Sequence, residues 1–527
     1  MNRIHTLQKR SRTGLLALLG ATALATTIAA DPVVLRSTDG TTNLNGELVG
    51  FDGEYYLLQT ELGDLRVAAA RVTCEGAGCP EVNTVAADTL AGGSDTIAEG
   101  LMPLLLAGFA TDLGAEAQSQ TGQGEGLIVT SLVGQQGFGA PIGTIGVQSG
   151  TSDDAFAGLL DGSYEMGVSS RRITPDEAQA LAASGAGNMI APDQEHIVAV
   201  DSLVIIVNQS NPMNALSVSD LAGIFSGRIT NWSQVGGPDL PVTVVTTQDA
   251  ANNAVLRDGI FGDGSNARLV GNYTATDNVD AALYVDENPG AIAYVGFAFK
   301  RGQKPINLIS ECGIGTSPDA FSVKTEEYTL FRRLYLYTRA DTDNQLTKDF
   351  VSYATSPASN LVILQSGFID LSVEQVPLGP DNPRIARVRG TGEGSFERNV
   401  INGMIDQMGT HGRLSSTFRF RTGSTQLDPR GIDDLQRLAD HLAELPDGAE
   451  ITFVGFADSV GAFEPNVTLS EGRAEQVRNA LLALAGDRLN NVTIKTAGYG
   501  EIDPAACNTN DAGRAINRRV ETWIKTQ

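Results

Sequence analysis

Residues 455–474 restrict the fold of this chain more than any other segment. Ile451, Phe453 and Gly455 alternate with Thr452, Val454 and Phe456, which predicts a strand that ends just before Asp458. Apolar residues at helical spacing follow, namely Ala474, Val477, Leu481 and Leu484. We expect Ser470 to be the N-cap of this helix, which would place Arg473 in its first turn. A carboxylate and a guanidinium on the ends of rigid elements suit a zwitterionic ligand, because each meets an opposite charge.

The same stretch follows the pattern Gly-x-x-Asp-x-x-Gly and then Asn-x-x-Leu-Ser-x-x-Arg-Ala. It is matched at Gly455, Asp458, Gly461, Asn466, Leu469, Ser470, Arg473 and Ala474, and residues 513–521 add a second block that includes Asn-Arg-Arg-Val-Glu. These blocks resemble the OmpA-like C-terminal family, which binds peptidoglycan. The resemblance implies that Asp458 and Arg473 hold the diaminopimelate side chain of the wall peptide, with Asn466 and Leu469 in the same site. The alternative is that Asp458 and Arg473 form a plain surface ion pair.

Residues 1–30 predict a secretory signal peptide, with a basic start, an apolar run and small residues before a cleavage point. The nearest later apolar run, residues 101–110, is shorter than the roughly 18 residues that a membrane span needs. We therefore expect a periplasmic protein associated with the cell wall or outer membrane.

The formal net charge is −25, and removal of the four basic residues of the signal leaves −29. A surface this acidic argues against nucleic acid as a partner. With four histidines and no Cys/His cluster at ligand spacing, we expect no metal site and no cofactor.

Residues 31–83 predict a small β domain, from four short apolar runs separated by Asp-Gly and Gly-Asp turns. Cys74 and Cys79 enclose a short Gly-containing loop in an oxidising compartment, so we expect a disulfide. Cys312 and Cys507 fall in different domains. They are either paired, which would tether those domains, or two free thiols, which is slightly favoured.

Residues 84–370 alternate strand-like and helix-like runs, which predicts an α/β body. Three turns rich in small hydroxyl residues precede helices or follow strands, and such turns are anion sites or ordinary caps. They comprise Ser94 and Thr96; Gly150, Thr151 and Ser152; and Ser169 and Ser170, with Arg171 next in sequence.

Several runs in this segment resemble the PstS-type periplasmic phosphate-binding proteins of ABC transporters. They are residues 200–208, 211–212, 221–232 and 288–295. The resemblance covers most of residues 86–370 and implies a type II body of two lobes that close on an oxyanion, the second lobe formed by about residues 171–294. It also implies that the three turns above are three of the family's anion loops.

The fourth anion loop departs from this family. Where the family has Arg-x-x-x-Ser-Gly-Thr, residues 247–253 read Thr-Gln-Asp-Ala-Ala-Asn-Asn. The departure removes a bidentate cation and a helix-start hydroxyl, and Asp249 would repel an anion that has no proton to share. Phosphate is the first expectation, followed by another small anion or a polar solute.

Residues 371–412 are predicted to be a partly ordered linker, with a short helix over residues 396–408, and residues 413–527 the OmpA-like α/β sandwich. An Asp-Pro pair at residues 428–429 is expected to start a helix.

The sequence thus predicts a solute-binding protein, not an enzyme, that is held on diaminopimelate-type peptidoglycan. Candidate protein partners are an ABC transporter or an outer-membrane protein. The alternative is an envelope-organising docking protein whose body has lost its ligand. An enzyme is disfavoured because the chain has no Gly-x-Ser-x-Gly elbow and no His paired with a nucleophile.

Overall fold

The structure is a computed structural model of the chain. It describes residues 32–37, 42–51, 55–60, 63–68, 72–76, 78–79, 87–122, 126–134, 141–248, 250–262, 264–300, 302–380, 382–389, 392, 394–427 and 431–526. The chain divides into two compact units, Met1–Asn83 and Thr84–Gln527. The predicted signal peptide, the Asp-Pro pair at 428–429 and Asp249 lie outside the described residues.

The N-terminal unit contains one antiparallel sheet of five strands, ordered β4-β3-β2-β1-β5. The strands are β1 (Pro32–Ser37), β2 (Asn43–Phe51), β3 (Tyr55–Thr60), β4 (Gly63–Ala68) and β5 (Val72–Glu75). Alternate side chains of β1 and β3, such as Leu35 and Leu58, form its core. The predicted Cys74–Cys79 disulfide is confirmed. Strand β5 was not predicted, since Val72 is its only aliphatic residue.

A continuous sheet runs through the body, in the order β14-β13-β15-β11-β19-β10-β6-β9-β8-β7, with β16 paired to β11. Its strands are β6 (Thr89–Ser94), β7 (Ala115–Thr121), β8 (Leu127–Gly134), β9 (Pro141–Gly150), β10 (Met166–Ser169), β11 (Glu195–Val207), β13 (Thr243–Thr247), β14 (Tyr273–Ala275), β15 (Ala291–Gly296), β16 (Lys304–Pro305) and β19 (Phe331–Thr338). A small separate sheet contains β12 (Ala215–Ser217), β17 (Asn307–Ile309) and β18 (Gly315–Thr316).

Helices cover this body. They are α1 (Asp95–Ala98), α2 (Met102–Asp112), α3 (Ser152–Asp161), α4 (Pro175–Ala183), α5 (Val218–Phe225), α6 (Ala250–Phe261), α7 (Asn278–Glu287), α8 (Ala320–Lys324), α9 (Gln345–Thr355) and α10 (Asn360–Gln365), with single 3₁₀ turns at Trp232–Val235, Phe297–Phe299 and Pro357–Ser359.

The body has two lobes, each with its own hydrophobic core. The paired strands β11 and β19 belong to both lobes, and the chain passes from one lobe to the other along them. One core includes Phe109 and Phe350, and the other includes Phe225 and Trp232. The predicted limits of the second lobe were wrong at both ends. Residues such as Met189 pack in the first lobe, and the second lobe extends from about residue 200 to 330, because the crossing takes place within β11 and β19 rather than at the Ser-rich turn.

The C-terminal domain contains a five-stranded sheet ordered β20-β21-β24-β22-β23. Its elements are β20 (Gln375–Pro377), α11 (Pro383–Val388), α12 (Ser395–Met408), β21 (His411–Arg419), α13 (Gly431–Ala443), β22 (Ala449–Gly455), α14 (Phe463–Ala485), a 3₁₀ turn at Gly486–Leu489, β23 (Val492–Gly498), α15 (Asp511–Asn517) and β24 (Arg519–Lys525). Helices α13 and α14 bury one face of the sheet.

The segment predicted to be a linker is folded against the other face of this sheet. Met404 and Met408 of α12 and Ile385 of α11 are buried in one cluster with Phe456 and Trp523 of the domain. The short helix expected here is present. The segment contributes to the core because its apolar residues recur at helical spacing and cover a sheet face that would otherwise face water.

The body and the C-terminal domain are joined by a disulfide and by buried charges. Cys312 and Cys507 are bonded, so the slight preference for free thiols was wrong; the fold brings two loops together that lie 195 residues apart in sequence. Glu327, just after α8, accepts hydrogen bonds of 2.7 and 3.1 Å from Arg413 of β21. Burial would raise the pKa of the Glu327 carboxyl, but Arg413 and Arg519 hold it below its usual range.

Candidate functional site

The first site lies at the end of β22, where helix α14 packs directly against the strand. A Cβ on Gly455 would lie 1.8 Å from the Ser470 carbonyl oxygen, so the close contact requires glycine. The predicted helix start was wrong: α14 begins at Phe463, and Ser470 and Arg473 are buried in its middle. Pro465 does not prevent this, because proline is tolerated in the first turn of a helix.

Asp458 is bound by an arginine that sequence reasoning did not assign to the site. Its Oδ2 accepts a hydrogen bond of 2.7 Å from Nη1 of Arg518, and its Oδ1 accepts one of 3.1 Å from the Val460 amide. Asp458 is 5% exposed. The closing sequence block contained this signal, since Arg518 is part of its Asn-Arg-Arg run.

Arg473 is buried beside this carboxylate and donates to backbone carbonyls. Its guanidinium reaches the oxygens of Ser424, Phe456 and Arg421 at 3.0, 3.4 and 3.3 Å. Burial lowers the pKa of Arg473 to about 10, with Asp458 opposing this shift. The alternative of a plain surface ion pair between Asp458 and Arg473 does not describe this site, because both side chains are buried and Asp458 pairs with Arg518.

The two remaining predicted wall-binding residues, Asn466 and Leu469, differ in burial and in hydrogen bonding. Asn466 is buried, and its amide donates to the Asp458 carbonyl at 3.2 Å and to Glu501 at 2.6 Å, so it fixes the loop that carries the acid. Leu469 is half-buried on α14. The site therefore brings the Asp458 carboxylate together with the Arg473 and Arg518 guanidiniums, and the Glu501 carboxylate is bound to Asn466 beside them.

The second site lies in the body, where three neighbouring strands end together. Ser94 at the end of β6 is opposite Gly150 at the end of β9. On the other side of β6, Gly93 is next to Val168, so Ser169 ends β10 at the same edge. All three predicted anion turns are thus brought together by sheet register.

In two of these turns, some polar groups already form hydrogen bonds with residues of the turns or of the adjoining helix. The Thr151 amide donates to Asp154 at 2.7 Å, and the Thr151 hydroxyl accepts from the Asp154 amide in return. These hydrogen bonds lower the pKa of Asp154. The hydroxyls of Ser152 and Ser170 lie 3.2 Å apart and link the second turn to the third.

Of the two remaining serine hydroxyls in these turns, one has a hydrogen-bond partner and the other does not. The Ser169 hydroxyl donates to the Arg171 carbonyl. The Ser94 hydroxyl is buried and has no partner among the described residues.

Arg171, the cation nominated from the sequence, is bound by carboxylates. Its guanidinium donates to both carboxylate oxygens of Glu177, from Nη1 to Oε2 at 2.9 Å and from Nη2 to Oε1 at 2.6 Å, and also contacts Asp153. Hydrogen bonding to Glu177 and Asp153 raises the pKa of Arg171 despite its partial burial. A ligand would have to displace these acids, so Arg171 is poorly placed to hold an anion.

Arg332 of β19 is a buried arginine next to the first turn that the sequence analysis did not nominate. It is 6% exposed. Its Nε and Nη2 contact Asp201 Oδ2 at 2.9 and 2.7 Å, and Nη2 also lies 3.5 Å from the Thr96 hydroxyl of the first turn. Its Nη1 is buried without a partner in the described part of the chain. A buried, unpaired donor is costly, so its retention points to a ligand acceptor.

The fourth turn, which departs from the family pattern, follows β13 of the second lobe and precedes α6. The Thr247 backbone amide donates to the Tyr294 hydroxyl at 3.3 Å, and the Asn253 side-chain amide donates to the Thr247 carbonyl at 3.0 Å.

Within the described residues, no cluster of His, Cys, Asp or Glu is arranged to hold a metal ion. A search of the same residues finds no helix with the length and apolarity needed to cross a bilayer.

Comparison with known proteins divides the chain in the same way. Residues 80–358 match the family described as the PBP superfamily domain, and residues 419–518 match the OmpA family. The phosphate-binding protein PstS of Borreliella burgdorferi is 23% identical over 222 residues, which are 41% of this chain and 75% of that protein. The peptidoglycan-binding protein ArfA of Mycobacterium tuberculosis is 39% identical over 107 residues, or 20% of this chain and 31% of ArfA.

Among solved structures, an ABC-type phosphate transport receptor from Vibrio cholerae is 22% identical and covers 54% of this chain and 99% of its own, with a TM-score of 0.39. The two relatives above are named as binding proteins. The body is therefore PstS-like and the C-terminal domain OmpA-like, as the sequence resemblances implied.

Proposed function

Because the chain belongs to the PBP superfamily, we propose that its body binds a small oxyanion, phosphate first, and that its OmpA domain holds the protein on peptidoglycan. The relatives named for phosphate binding and for peptidoglycan binding support this division of labour. Tethering would keep the receptor at a high local concentration near the wall. The protein would reside in the periplasm, without catalytic activity.

One observation carries the body's role as an anion receptor. Nη1 of Arg332 and the Ser94 hydroxyl are both buried and unpartnered in the described structure, and the contact of Arg332 with Thr96 links the arginine to the first turn. A phosphate oxygen can accept from both groups, since charge-assisted hydrogen bonds are among the strongest polar contacts. Arg332 would thus replace the arginine absent from the fourth turn.

The anion site we propose contains Ser94, Thr96, Ser152 and Ser170 with Arg332. Gly150, Thr151 and Ser169 shape the turns. Arg171 is left out because Glu177 and Asp153 occupy its guanidinium.

The wall site we propose centres on Asp458 and Arg473, with Asn466 and Leu469 beside them and Arg518 added. A zwitterionic group of diaminopimelate presents an amine to Asp458 and a carboxylate to the two arginines. The free carboxylate of the ligand would add a directly bonded counter-charge to Arg473, whose side-chain hydrogen bonds in the described structure go to backbone carbonyls.

Calorimetric titration of the mature chain with phosphate, after refolding to remove carried ligand, tests the body's role, with sulfate as the comparison anion. Binding of phosphate in the micromolar range or tighter is expected. No heat with either anion would contradict the receptor and favour the envelope-organising docking protein, in which an envelope protein rather than an ABC transporter is the partner. Co-sedimentation of the same preparation with purified diaminopimelate-type peptidoglycan tests the tether separately.

A further inference from the structure

An exposed aromatic side chain lies beside the wall site, on a helix outside the residues that match the OmpA family. Phe396, in the first turn of α12, is 46% exposed. Its ring meets the ring of Phe463, the first residue of α14, edge to face, with 6.1 Å between the ring centroids. The family match begins only at residue 419. The contact therefore brings a residue from α12 to the start of the helix that carries Asn466 and Arg473.

This aromatic pair, Phe396 and Phe463, is close to Asp458. Asn466 donates to the Asp458 carbonyl at 3.2 Å, and Phe463 precedes Asn466 by three positions on α14. Residues three positions apart on a helix are neighbours on its surface, with about 5–6 Å between their Cβ atoms. The aromatic pair is therefore on the order of 10 Å from Asp458, the residue proposed to bind the diaminopimelate amine.

The surface between Asp458 and the aromatic pair exposes apolar side chains and no cation. Val460 is 57% exposed, and Ala462 and Pro465 are exposed as well. Residues 459–465 contain no Lys or Arg. An exposed apolar surface that continues from a binding site is typical of an interaction surface. Without a cation, it suits an uncharged part of a ligand rather than a further anionic group.

The covalent structure of peptidoglycan places an uncharged group at this distance. Diaminopimelate is the third residue of the stem peptide, and the first residue is joined through a lactyl group to a sugar of the glycan strand. Three extended residues span about 10 Å, so a bound stem peptide holds its sugar about as far from Asp458 as the aromatic pair lies. The C–H face of a pyranose ring packs favourably on an aromatic ring, whose face carries partial negative charge.

We propose that Phe396 forms a saccharide subsite, which binds the sugar that carries the bound stem peptide. Phe396 is the exposed member of the pair, and the half-buried Phe463 holds it in place. The inference rests on the proposed wall binding and extends its ligand from a peptide to a peptide joined to its glycan. The helix α12, which covers the sheet of the C-terminal domain, would thus also contact the ligand.

Calorimetric titration of the full mature chain with two probes tests the proposal. One probe is the free tripeptide L-alanyl-γ-D-glutamyl-meso-diaminopimelate, and the other is the same tripeptide joined to its disaccharide. The disaccharide form is expected to bind about threefold to tenfold more tightly, the range of one added aromatic contact.

Phe396→Ala is expected to remove most of that gain and to change binding of the free tripeptide less than twofold. Phe396→Tyr keeps the aromatic ring and should keep the gain, whereas Phe396→Leu keeps an apolar side chain without the ring and should lose most of it. Leu361→Ala is the matched control, since Leu361 is 65% exposed on α10 of the body, and both probes should bind this variant as they bind the wild type.

A thermal melt of each variant accompanies the titrations, and the comparison of Phe396→Tyr with Phe396→Leu decides the test if Phe396→Ala is destabilised. Equal binding of the two probes to the wild type, or a gain that survives Phe396→Ala or Phe396→Leu, overturns the inference and leaves the peptidoglycan tether standing. Failure of both probes to bind the wild type overturns the tether and the inference together.

Discussion

The two candidate sites differ in how their charges are satisfied. At the wall site each charged group has protein partners, as Asp458 has Arg518 and Arg473 has three carbonyls. In the cleft, Nη1 of Arg332 and the hydroxyls of Ser94 and Thr247 have none within the described residues. The first site is recognised by its sequence motif, and the second by its buried polar groups that have no hydrogen-bond partner among the described residues. An intact motif can be recognised from the sequence alone, whereas buried groups without partners become visible only in the folded structure.

The largest effect is expected at the wall site, where Asp458→Ala or Arg473→Ala should abolish co-sedimentation with diaminopimelate-type peptidoglycan. Each change removes one of the two charges that a zwitterion needs, and phosphate titration should be unchanged because the cleft is separate. Since Arg473 is 1% exposed, a thermal melt and the milder Arg473→Lys accompany the assay. Lys495→Ala, which disrupts an exposed pair with Glu450, should pellet normally. Undiminished pelleting of both site variants would contradict the assignment.

The next largest effect concerns the bond between the two regions. Replacing both Cys312 and Cys507 with Ser opens a loop of 195 residues, and loop entropy predicts a loss of up to about 5 kcal/mol in unfolding free energy. Denaturant unfolding measures it. The matched control replaces Cys74 and Cys79, whose separation is only 5 residues, with an expected loss of about 2 kcal/mol.

If the two sites are independent, the Cys312→Ser, Cys507→Ser protein should bind phosphate and peptidoglycan as the wild type does. Loss of either ligand in a folded variant would show that the disulfide positions that site.

In the cleft, Arg332→Gln is expected to weaken phosphate binding about tenfold to a hundredfold, the range of a charge-assisted contact, while Arg171→Gln changes it less than twofold. Calorimetry compares them directly. Because Arg332→Gln would leave the buried Asp201 carboxylate unpaired, a double variant with Asp201→Asn keeps the test valid if the single variant unfolds. A greater loss from Arg171→Gln would reverse the assignment of the cation.

The smallest expected effect is a pH dependence shared by both regions. Burial lowers the pKa of His196 in the body and of His411 and His441 in the C-terminal domain. The unfolded chain then binds more protons below about pH 6.5, so the stability from neutral histidines is present above that pH and is lost as pH falls toward the folded pKa.

The melting temperature should therefore fall between pH 7.5 and 5.5, and less so in His196→Gln and His411→Gln. An equal fall in wild type and variants would show that other groups control it.

The sequence predicted what depends on local pattern. Strand β22, the small sheet of the N-terminal unit and the Cys74–Cys79 bond follow from alternation, turns and short spacing. The three anion turns were predicted, and sheet register does bring them together.

Long-range pairing explains what the sequence did not show. Arg332 and Asp201 are 131 residues apart, and Arg518 and Asp458 are 60 apart, so no local pattern marks either pair. The same holds for residues 371–412. The burial of their apolar residues could not be predicted locally, because it depends on the sheet face that they cover.

The Cys312–Cys507 bond makes a ring of the chain between those residues, and the whole of residues 378–412 lies within the ring. A protease that cut the backbone once in this segment would therefore leave the C-terminal domain covalently attached to the second lobe. The cut protein would migrate as one species without reductant and as two fragments with it. Covalent separation of the C-terminal domain from the second lobe would then require two events, a cleavage and a reduction, rather than one.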